Sequence, residues 1–571
     1  MMPAGIPLGG ITGGARRVRL AERAAAGSAR VLALWALVLG ATLVGFVTLY
    51  DPSFIDIDGA FFVSAGKNLA SGRGFTTSIL WHEEQYRLGR MPAPQTVFPP
   101  GYPLLIALVS RLGADPPYAA FLVSLVSFAA IPLVVYGILR TAGHTQLGSF
   151  AVGAVWLGSA FAWFTVFRCM SDMPFILLTL LSLRCVMESE RHPKRCDLWL
   201  AAAGTVAGLA FTVRYQGLFY VVSLGCFFLF RLIRQRDWPS ARALIVVAGP
   251  ASVFVLPILV RNRALTGKLT GTMIPGEPSL LDLLRTLEWA TGNLFGFTKS
   301  GLLGGGVPEV GFVLVALAGL AGGVCWIGRL GIDRSALRAA LAKTHVSLSL
   351  GYMAVSVILI AEGARHYASG QIDPRYLLAL VPFGLLCLPD GVRLIRFTPS
   401  RAWHARAGRL WLGAVAVVLV AGQVNAFHRN WDRLHTNANP YRAIRDALDH
   451  PLAGEPLIRF LQARVTEQSP LLGNEAQLLG AVLDRPVLGL ASASYTRKVW
   501  TEDQVQRLVA TYGVAYVVFF PEQFDPAHPE HRNRPFLHEL KRGSPPPWLV
   551  VILVAPDVQL YRVEGGARAK S

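Results

Sequence analysis

Long apolar stretches alternate with short polar segments along most of the chain, from residue 31 to residue 427. A helix of roughly 18 to 25 apolar residues can cross a bilayer, and about eleven stretches are of this kind. The run from 197 to 232 is interrupted by Arg214, and we interpret it as two spans. The predicted spans are 31–50, 117–139, 147–167, 173–189, 197–213, 215–232, 243–260, 308–328, 345–362, 375–392 and 409–427.

The pattern changes after residue 428, where the apolar runs shorten to the length of strands and alternate with helical patterns. The runs "YVVFF" (516–520) and "WLVVILV" (548–554) are examples. One helix is predicted to begin at Asn439, with Pro440 in its first turn, and another to begin at Thr501 and end at Gly513. Residues 429–571 are therefore predicted to form a small α/β domain outside the membrane.

The composition agrees with a membrane protein. Of the 571 residues, 53% are hydrophobic and 16% are charged, which is too apolar for a soluble multidomain protein of this length. The net charge of +19 would fit nucleic-acid binding only if the basic residues gathered on a soluble surface, and they lie mostly in short gaps between apolar stretches. The predicted fold class is mainly α, a polytopic helical membrane protein, with no nucleic acid as partner.

The basic loops also predict the orientation, because Lys and Arg are retained on the cytoplasmic side of a membrane. With eleven spans, all basic loops fall on one side, which puts the N-terminus in the cytoplasm and the chain after residue 428 outside the plasma (inner) membrane. The predicted units are a basic cytoplasmic N-terminus (1–30), a membrane domain (31–428) with outer loops 51–116 and 261–307, and the extracytoplasmic domain (429–571).

Several charged and polar residues fall at or just beyond the outer membrane surface in this arrangement. Ionisable groups at membrane depth are costly unless they are paired or line a wet cavity, so these residues are candidates for function. They are far apart in sequence, yet the topology allows them to converge over one cavity. The candidates are Asp56, Asp58, Tyr102, Asp172, Arg214, Arg261, Asn262 and Arg375.

Structural roles are alternatives for these residues. The three arginines are equally compatible with interfacial anchors that reach lipid headgroups. Asp58 could cap the short helix predicted in "GAFFVSAGKNLASG", Asp56 could simply be solvated, and Asp172 could cap the span that follows it. Spacing alone does not decide between these interpretations.

The order of the motifs is more informative. The first outer loop combines Asp56 and Asp58 with "NLASGRGF" and "FPPGYPLLIAL", and "SDMPFILLTLLSL", "VRYQGLFY", "VRNRALTG" and "PRYLLALVPF" follow. This series resembles the GT-C glycosyltransferases that use polyprenyl-phosphate-linked sugars, the superfamily that contains the protein O-mannosyltransferases and the lipid A aminoarabinose transferase. The resemblance covers most of residues 31–395 and, more loosely, the C-terminal region.

The resemblance implies an enzyme that moves a sugar, hexose or pentose, from a polyprenyl phosphate to an extracytoplasmic acceptor, with inversion. The acceptor would be a lipid, a polysaccharide or a protein of the cell envelope. Asp58 is implied as the general base, with Asp56 as its substitute, and Asp172 as a residue that orients the acceptor or Asp58. A divalent cation on the Asp56–Asp58 pair stays open, and no other cofactor is implied.

The lipid phosphate calls for guanidinium groups, which bind phosphate in a bidentate manner. Arg375 is the first candidate for this role, followed by Arg261 and Arg214. Tyr102 and Asn262 belong to the same outer-face motifs and are predicted to contact substrate. The charges of "WHEEQ" (81–85) could complete the site, although solvated loop charges are the simpler interpretation.

Two other classes of function remain. A transporter or flippase of lipid-linked precursors would be expected to carry internal repeats and charges near the bilayer midplane, whereas these charges gather at one surface. A non-catalytic membrane binding protein would not need the complete set of carboxylates and arginines.

Overall fold

The computed structural model describes residues 11–86, 88–270, 279–296, 334–365, 372–394, 402–436 and 439–564. Helices dominate up to residue 447, and most strands of the main sheet lie after residue 470. The predicted span 308–328 and parts of the predicted outer loop 261–307 lie outside the described residues. The mainly helical class predicted from the sequence is confirmed.

The helices up to residue 295 are α1 (Ile11–Leu49), α2 (Ile57–Ala70), α3 (Glu83–Tyr86), α4 (Gly101–Arg111), α5 (Pro116–Thr141), α6 (Gln146–Leu157), α7 (Ala160–Phe167), α8 (Asp172–Arg191), α9 (Cys196–Val213), α10 (Gly217–Gln235), α11 (Trp238–Thr266) and α12 (Leu280–Phe295). Those that follow are α13 (Arg334–Leu341), α14 (Thr344–Arg365), α15 (Pro374–Leu378), α16 (Val381–Leu394), α17 (Ala402–His435), α18 (Pro440–Ala447), α19 (Leu457–Arg464), α20 (Ala476–Leu483), α21 (Glu502–Tyr512) and α22 (Pro535–Lys541).

Six helical segments among the described residues are long and apolar enough to cross a membrane. A seventh arises if α6 and α7, which are bent by 55° at their break, count as one span. The chain is thus a multi-pass membrane protein, while the number eleven stays a prediction. The six segments are Ala29–Leu49, Pro116–Thr141, Pro193–Val213, Gly217–Gln235, Trp238–Thr266 and Thr344–Ala364.

The predicted spans agree with the helices to different degrees. The chain breaks at Arg214 into two separate candidate spans, as the sequence predicted. The stretch 173–189 forms α8, but charged side chains keep this helix outside the six. The stretch 375–392 is divided between α15 and α16, and neither is long enough to cross alone. The stretch 409–427 lies within the continuous helix α17.

The C-terminal region contributes most of a six-stranded sheet with the order β2-β7-β6-β8-β10-β9. The strands β2, β7, β6 and β8 pair in parallel, and β10 is antiparallel to β8 and β9. Strand β2 belongs to the first outer loop, so this sheet joins the loop to the C-terminal region. The strands are β1 (Thr76–Thr77), β2 (Ile79–Leu80), β3 (Ala93–Pro94), β4 (Pro451–Leu452), β5 (Glu455–Pro456), β6 (Leu471–Gly473), β7 (Val487–Leu488), β8 (Tyr516–Phe519), β9 (Leu549–Val554) and β10 (Gln559–Val563).

Two helix boundaries predicted for this region are confirmed. The side chain of Asn439 caps α18, since its Oδ1 accepts a hydrogen bond from the backbone N–H of Tyr441 at 3.1 Å, and Pro440 is the first helical residue. Helix α21 follows Thr501 and ends at Gly513, whose φ of 66° is left-handed.

An aromatic cluster fixes the start of the first outer loop. The ring of Phe167 at the end of α7 lies 4.9 Å from that of Phe46 in α1 and 5.8 Å from that of Phe54. Phe121 of α5 stacks on the same ring at 6.0 Å. Burying these rings holds α1, α5 and α7 together and sets the place where α2 begins.

Candidate active site at the start of α2

Two carboxylates at the start of α2 occupy different positions. Asp56 is the N-cap, and its Oδ1 accepts a hydrogen bond from the backbone N–H of Ile57 at 2.7 Å. Asp58 lies in the first turn, where the positive end of the helix dipole stabilises a carboxylate. The capping role that the sequence left open for Asp58 therefore belongs to Asp56.

The turn between α7 and α8 lies directly against α2. A Cβ at Gly59 would come within 2.4 Å of the carbonyl oxygen of Arg168, so the two backbones meet at a glycine. Cys169 has a φ of 59°, a left-handed conformation that costs free energy for a residue with a side chain. This contact brings the residues of the turn next to the carboxylates of α2.

Arg375 joins Asp58 to Asp373. Its Nη1 donates to Oδ2 of Asp58 at 2.8 Å, and its Nε donates to Oδ2 of Asp373 at 2.8 Å. Burial by itself would raise the pKa of Asp373, but the charge and hydrogen bonds of Arg375 hold that pKa below its ordinary value. Carboxylates therefore occupy both sides of the guanidinium that the sequence nominated first for the lipid phosphate.

Asp172 and Arg214 form a second, more deeply buried ion pair. Nη1 of Arg214 lies 2.9 Å from Oδ2 of Asp172, whose residue is only 2% exposed. The Arg214 guanidinium also lies over the ring of Tyr376, 5.4 Å from its centroid. Burial raises the pKa of Asp172, and the charge of Arg214 opposes that shift. Asp172 is the first residue of α8, whose N-cap is Ser171.

Three further arginines border the site, and the sequence did not single them out. Nη1 of Arg168 lies 3.6 Å from Oδ2 of Asp56, a distance too long for a good hydrogen bond. Burial and then the charges of Arg433 and Arg168 lower the pKa of Arg429 of α17, and Arg433 also lowers the pKa of Arg168, so the three positive groups are neighbours. The site therefore contains more positively charged groups than the sequence predicted.

Arg261 and Asn262 lie on α11 and contact the first outer loop. Nη1 of Arg261 donates to the carbonyl oxygen of Gln95 at 2.9 Å, and its guanidinium lies 5.1 Å from the ring centroid of Phe75. Asn262 is 1% exposed, and its Nδ2 donates to the hydroxyl of Tyr215 at 2.7 Å. These contacts attach the loop to α11, and none of them reaches the Asp58–Arg375 pair.

Tyr102 is fully buried between α4 and α5. Its hydroxyl lies 2.9 Å from the carbonyl oxygen of Ala120 and 2.8 Å from the hydroxyl of Ser124, which in turn donates to the carbonyl oxygen of Met170 at 2.9 Å. Tyr102 is thus connected through Ser124 to the turn between α7 and α8. Contact with substrate stays a prediction for this residue.

The charges of "WHEEQ" have partners within the protein, in contrast to the simpler interpretation as solvated loop charges. Glu84 is 8% exposed and lies 3.2 Å from Nζ of Lys268, and a carboxylate oxygen of Glu83 accepts a hydrogen bond from Thr496 at 2.9 Å. His82 is buried, and burial lowers its pKa to about 4. These contacts tie the first outer loop to α11 and to the C-terminal region.

A buried group of His144, His345 and Asp390 could hold a divalent cation. The Nε2 atoms of the two histidines lie 3.2 and 3.0 Å from Oδ2 of Asp390. Nζ of Lys343 lies 2.5 Å from Oδ1 of the same carboxylate, so an ammonium already neutralises it.

This histidine group is remote from the carboxylates of α2. The hydroxyl of Thr344, next to His345, donates to Glu190 at the end of α8 at 2.8 Å, whereas Asp172 begins α8. At 1.5 Å per residue, the 18 residues between these ends correspond to about 27 Å. A cation held by the histidines would not contact Asp58.

The structure therefore brings together four predicted residues, Asp56, Asp58, Asp172 and Arg375, with Arg214 as the partner of Asp172. Among the residues that the sequence missed, Asp373 is adjacent to Arg375 in "DPRY" and could have been found there. Arg429 and Arg433 follow the last predicted span, and arginines in that position are common as interfacial anchors.

Comparisons with known proteins agree with this architecture. Residues 97–260 match the family model of dolichyl-phosphate-mannose-protein mannosyltransferase. The structure of ArnT from Cupriavidus metallidurans in the apo state has a TM-score of 0.54 at 13% identity, over 94% of this chain and 98% of that one. The same protein bound to undecaprenyl phosphate has a TM-score of 0.50 at 13% identity, over 93% and 99% of the two chains. No curated protein sequence matches.

An identity of 13% shows a shared fold, and the family match adds a shared sequence pattern in the part that contains α5 to α10. The match includes Asp172 and Arg214 but ends before Arg261 and Arg375. The chain shares its fold with ArnT, and the resemblance to the GT-C glycosyltransferases found in its sequence motifs is confirmed.

Proposed function

We propose that this protein transfers a sugar from a polyprenyl-phosphate donor to an extracytoplasmic acceptor of the cell envelope, with inversion at the sugar. The observation that carries the proposal is the state of Asp58. Its Oδ2 is held by Arg375 at 2.8 Å, while its Oδ1 has no hydrogen-bond partner among the residues of the described ranges. Its side chain is 28% exposed, so the free oxygen is accessible to an acceptor.

The free oxygen suits a general base. When the acceptor oxygen attacks the anomeric carbon, its O–H bond breaks and the proton passes to Oδ1 of Asp58. The bond from the anomeric carbon to the phosphate oxygen breaks in the same displacement, and the polyprenyl phosphate leaves with the electron pair. One displacement between two oxygens inverts the anomeric configuration.

Arg375 suits the role of a positioning residue. Its guanidinium is fixed by Asp373 on one side, through Nε at 2.8 Å and Nη2 at 2.7 Å, and it presents Nη1 to Asp58 on the other. A bidentate contact of this kind fixes the plane of the guanidinium and hence the direction of the Asp58 carboxylate. Asp172 and Arg214 form the buried wall beside this pair.

The proposal is tested by following transfer directly. The purified protein is reconstituted in vesicles with radiolabelled polyprenyl-phosphate sugars and a membrane extract as the source of acceptors. Asp58→Asn is expected to lower the rate of transfer about 10²- to 10⁴-fold, the usual contribution of a general base. Insertion and expression should not change, because Asp58 does not cap α2.

Asp56→Asn is the matched control. Asparagine caps helices as well as aspartate does, so α2 should persist and the loss of transfer should be smaller. A wild-type protein that transfers no sugar but moves the labelled lipid across the vesicle membrane would contradict the proposal and favour a flippase. A greater loss with Asp56→Asn than with Asp58→Asn would assign the base to Asp56.

A second measurement identifies the substrates. Mass spectrometry of envelope lipids and glycans is carried out on cells that lack the protein and on cells complemented with wild type or Asp58→Asn. A sugar modification that is absent in the deletion strain, restored by wild type and not restored by Asp58→Asn would name donor and acceptor together. Full restoration by Asp58→Asn would exclude Asp58 as the base.

A further inference from the structure

Arg429 is a half-buried positive charge that forms no ion pair with a carboxylate of the described residues. Its Nη1 atom is shielded from solvent, and within the described part of the chain no hydrogen-bond acceptor reaches it. The acid closest in sequence on its own helix, Asp432, pairs with His428 at 3.0 Å. A buried guanidinium that lacks an acceptor is costly, because the water it has lost is not replaced.

Two more arginines surround this unpaired charge. Arg433 is four residues further along α17, on the same face of the helix, and Arg168 is at the end of α7. The two helices pack through Phe427, whose ring centroid lies 5.7 Å from that of Phe164, one turn before Arg168. Burial, Arg433 and Arg168 all lower the pKa of Arg429, and no carboxylate opposes them. Three positive groups therefore repel one another in one place.

Because most of the neighbouring carboxylates are paired elsewhere, they compensate this repulsion only in part. Asp58 and Asp373 are held by Arg375, and Asp172 is held by Arg214. Asp56 lies 3.6 Å from Arg168, and one of its oxygens is already used to cap α2. The cluster of Arg168, Arg429 and Arg433 therefore carries an excess of positive charge.

We propose that Arg168, Arg429 and Arg433 form a phosphate-binding site beside the start of α2, and that this site receives the phosphate group of the lipid-linked donor. The inference rests on the proposed function and assigns a part of the substrate to residues that no sequence motif indicated. Guanidinium groups bind phosphate oxygens in pairs, and three of them match the several oxygens of one phosphate.

The position of the site also suits the reaction. Arg168 is the link between the three arginines and Asp56, two residues from the proposed base. As the bond from the sugar to the phosphate breaks, negative charge develops on the leaving phosphate. Arginines with free donors, such as Arg429, stabilise that charge more effectively than Arg375, whose hydrogen bonds are already directed to two carboxylates. Binding of phosphate would relieve the repulsion among the arginines and add its own ion pairs.

Direct binding measurements test the site without requiring transfer. Farnesyl phosphate, farnesol and inorganic phosphate are titrated into the purified full-length protein in detergent, and Kd is measured by calorimetry. Arg429→Gln and Arg433→Gln are each expected to raise the Kd for farnesyl phosphate about tenfold or more, since each removes a charge-assisted contact. Binding of farnesol, which has no phosphate, should be weak and unaffected.

Arg445→Gln is the matched control, because Arg445 is an exposed arginine of α18 outside the cluster. It should change the Kd by less than about twofold, as expected for an exposed charge. The melting temperature of Arg429→Gln without ligand should equal or exceed that of wild type, because the substitution removes an uncompensated buried charge. Arg433→Gln tests the same site from an exposed position, so the experiment does not depend on the folding of one variant.

The outcomes separate this inference from the proposed function. If wild type binds farnesyl phosphate and both variants bind it equally well, the site is refuted while sugar transfer remains possible. If wild type binds no farnesyl phosphate and transfers no sugar, both proposals fail. Wild type could also bind inorganic phosphate and farnesyl phosphate equally well, with both affinities lost in the two variants. The arginines would then form a site for free phosphate, and its assignment to the donor would be overturned.

Discussion

Arg375 is the residue where the sequence and the structure favour different roles. The motif "DPRY" nominated it as a ligand of the lipid phosphate, whereas its guanidinium bridges Asp58 and Asp373 in the folded chain. A lysine would keep the charge but could not hold both carboxylates in one plane. The two roles therefore predict different kinetics for Arg375→Lys.

We expect Arg375→Lys to lower kcat about ten- to a hundredfold, which corresponds to the loss of about 1.5–3 kcal/mol in a charge-assisted hydrogen bond. KM for the polyprenyl-phosphate donor should change little if, as we propose, Arg375 orients the base and other arginines bind the phosphate. Steady-state kinetics of the reconstituted enzyme measure both constants. A large rise in KM with an unchanged kcat would instead indicate that Arg375 binds the phosphate of the donor.

At the scale of the elements, the packing of α9 on α11 depends on small residues. A Cβ at Gly204 would come within 2.0 Å of the carbonyl oxygen of Val247, and a Cβ at Gly208 would meet the backbone of Ala251 at 3.0 Å. The two glycines are four residues apart and face the same helix, the arrangement that allows membrane helices to approach closely. Arg214 at the end of α9 depends on this packing for its position.

We expect Gly204→Ala to destabilise the protein by about 1–3 kcal/mol, because α9 and α11 must separate to admit the methyl group. Thermal unfolding in detergent measures the loss. Gly225→Ala on α10 is the control, since nothing lies within 4 Å of its added Cβ and alanine favours a helix. Equal melting temperatures for Gly204→Ala and wild type would show that α9 and α11 leave room for a methyl group at Gly204.

At the scale of the whole molecule, α17 is predicted to connect the two sides of the membrane that the basic loops indicate. It runs without interruption from Ala402 to His435, and 34 residues at 1.5 Å each give a length of about 50 Å, more than the hydrocarbon core of a bilayer. Because Arg429 and Arg433 lie near its end, the side on which α17 ends is also the side of the candidate active site.

We expect an alkaline phosphatase fusion after residue 430 to be active and one near residue 402 to be inactive. A fluorescent protein that folds only in the cytoplasm should give the opposite result at the same two positions. Activity of the phosphatase at both positions would mean that α17 does not cross the membrane. The predicted orientation, and with it the convergence of the charged residues outside, would then be wrong.

Local patterns in the sequence were sufficient for most of the elements. Long apolar runs indicate membrane helices because the bilayer demands a fixed length of apolar side chains, and Asn439, Thr501 and Gly513 mark helix ends because capping involves only near neighbours. The motif order was also sufficient for the resemblance to the GT-C glycosyltransferases. The same patterns missed the break between α6 and α7, where Gly158 ends one helix and Ser159 caps the next inside an otherwise apolar run.

The sequence thus determined that the chain is a multi-pass helical membrane protein, and it nominated carboxylates and arginines at one surface. Only the tertiary structure decided which of them meet. Asp58 and Arg375 are 317 residues apart, and an ion pair at that separation depends on how helices pack and not on any local pattern. For the same reason the folded chain showed that Arg375 is already paired, and that Arg429, which local sequence marks as an ordinary anchor, is half-buried with an Nη1 atom that finds no acceptor among the described residues.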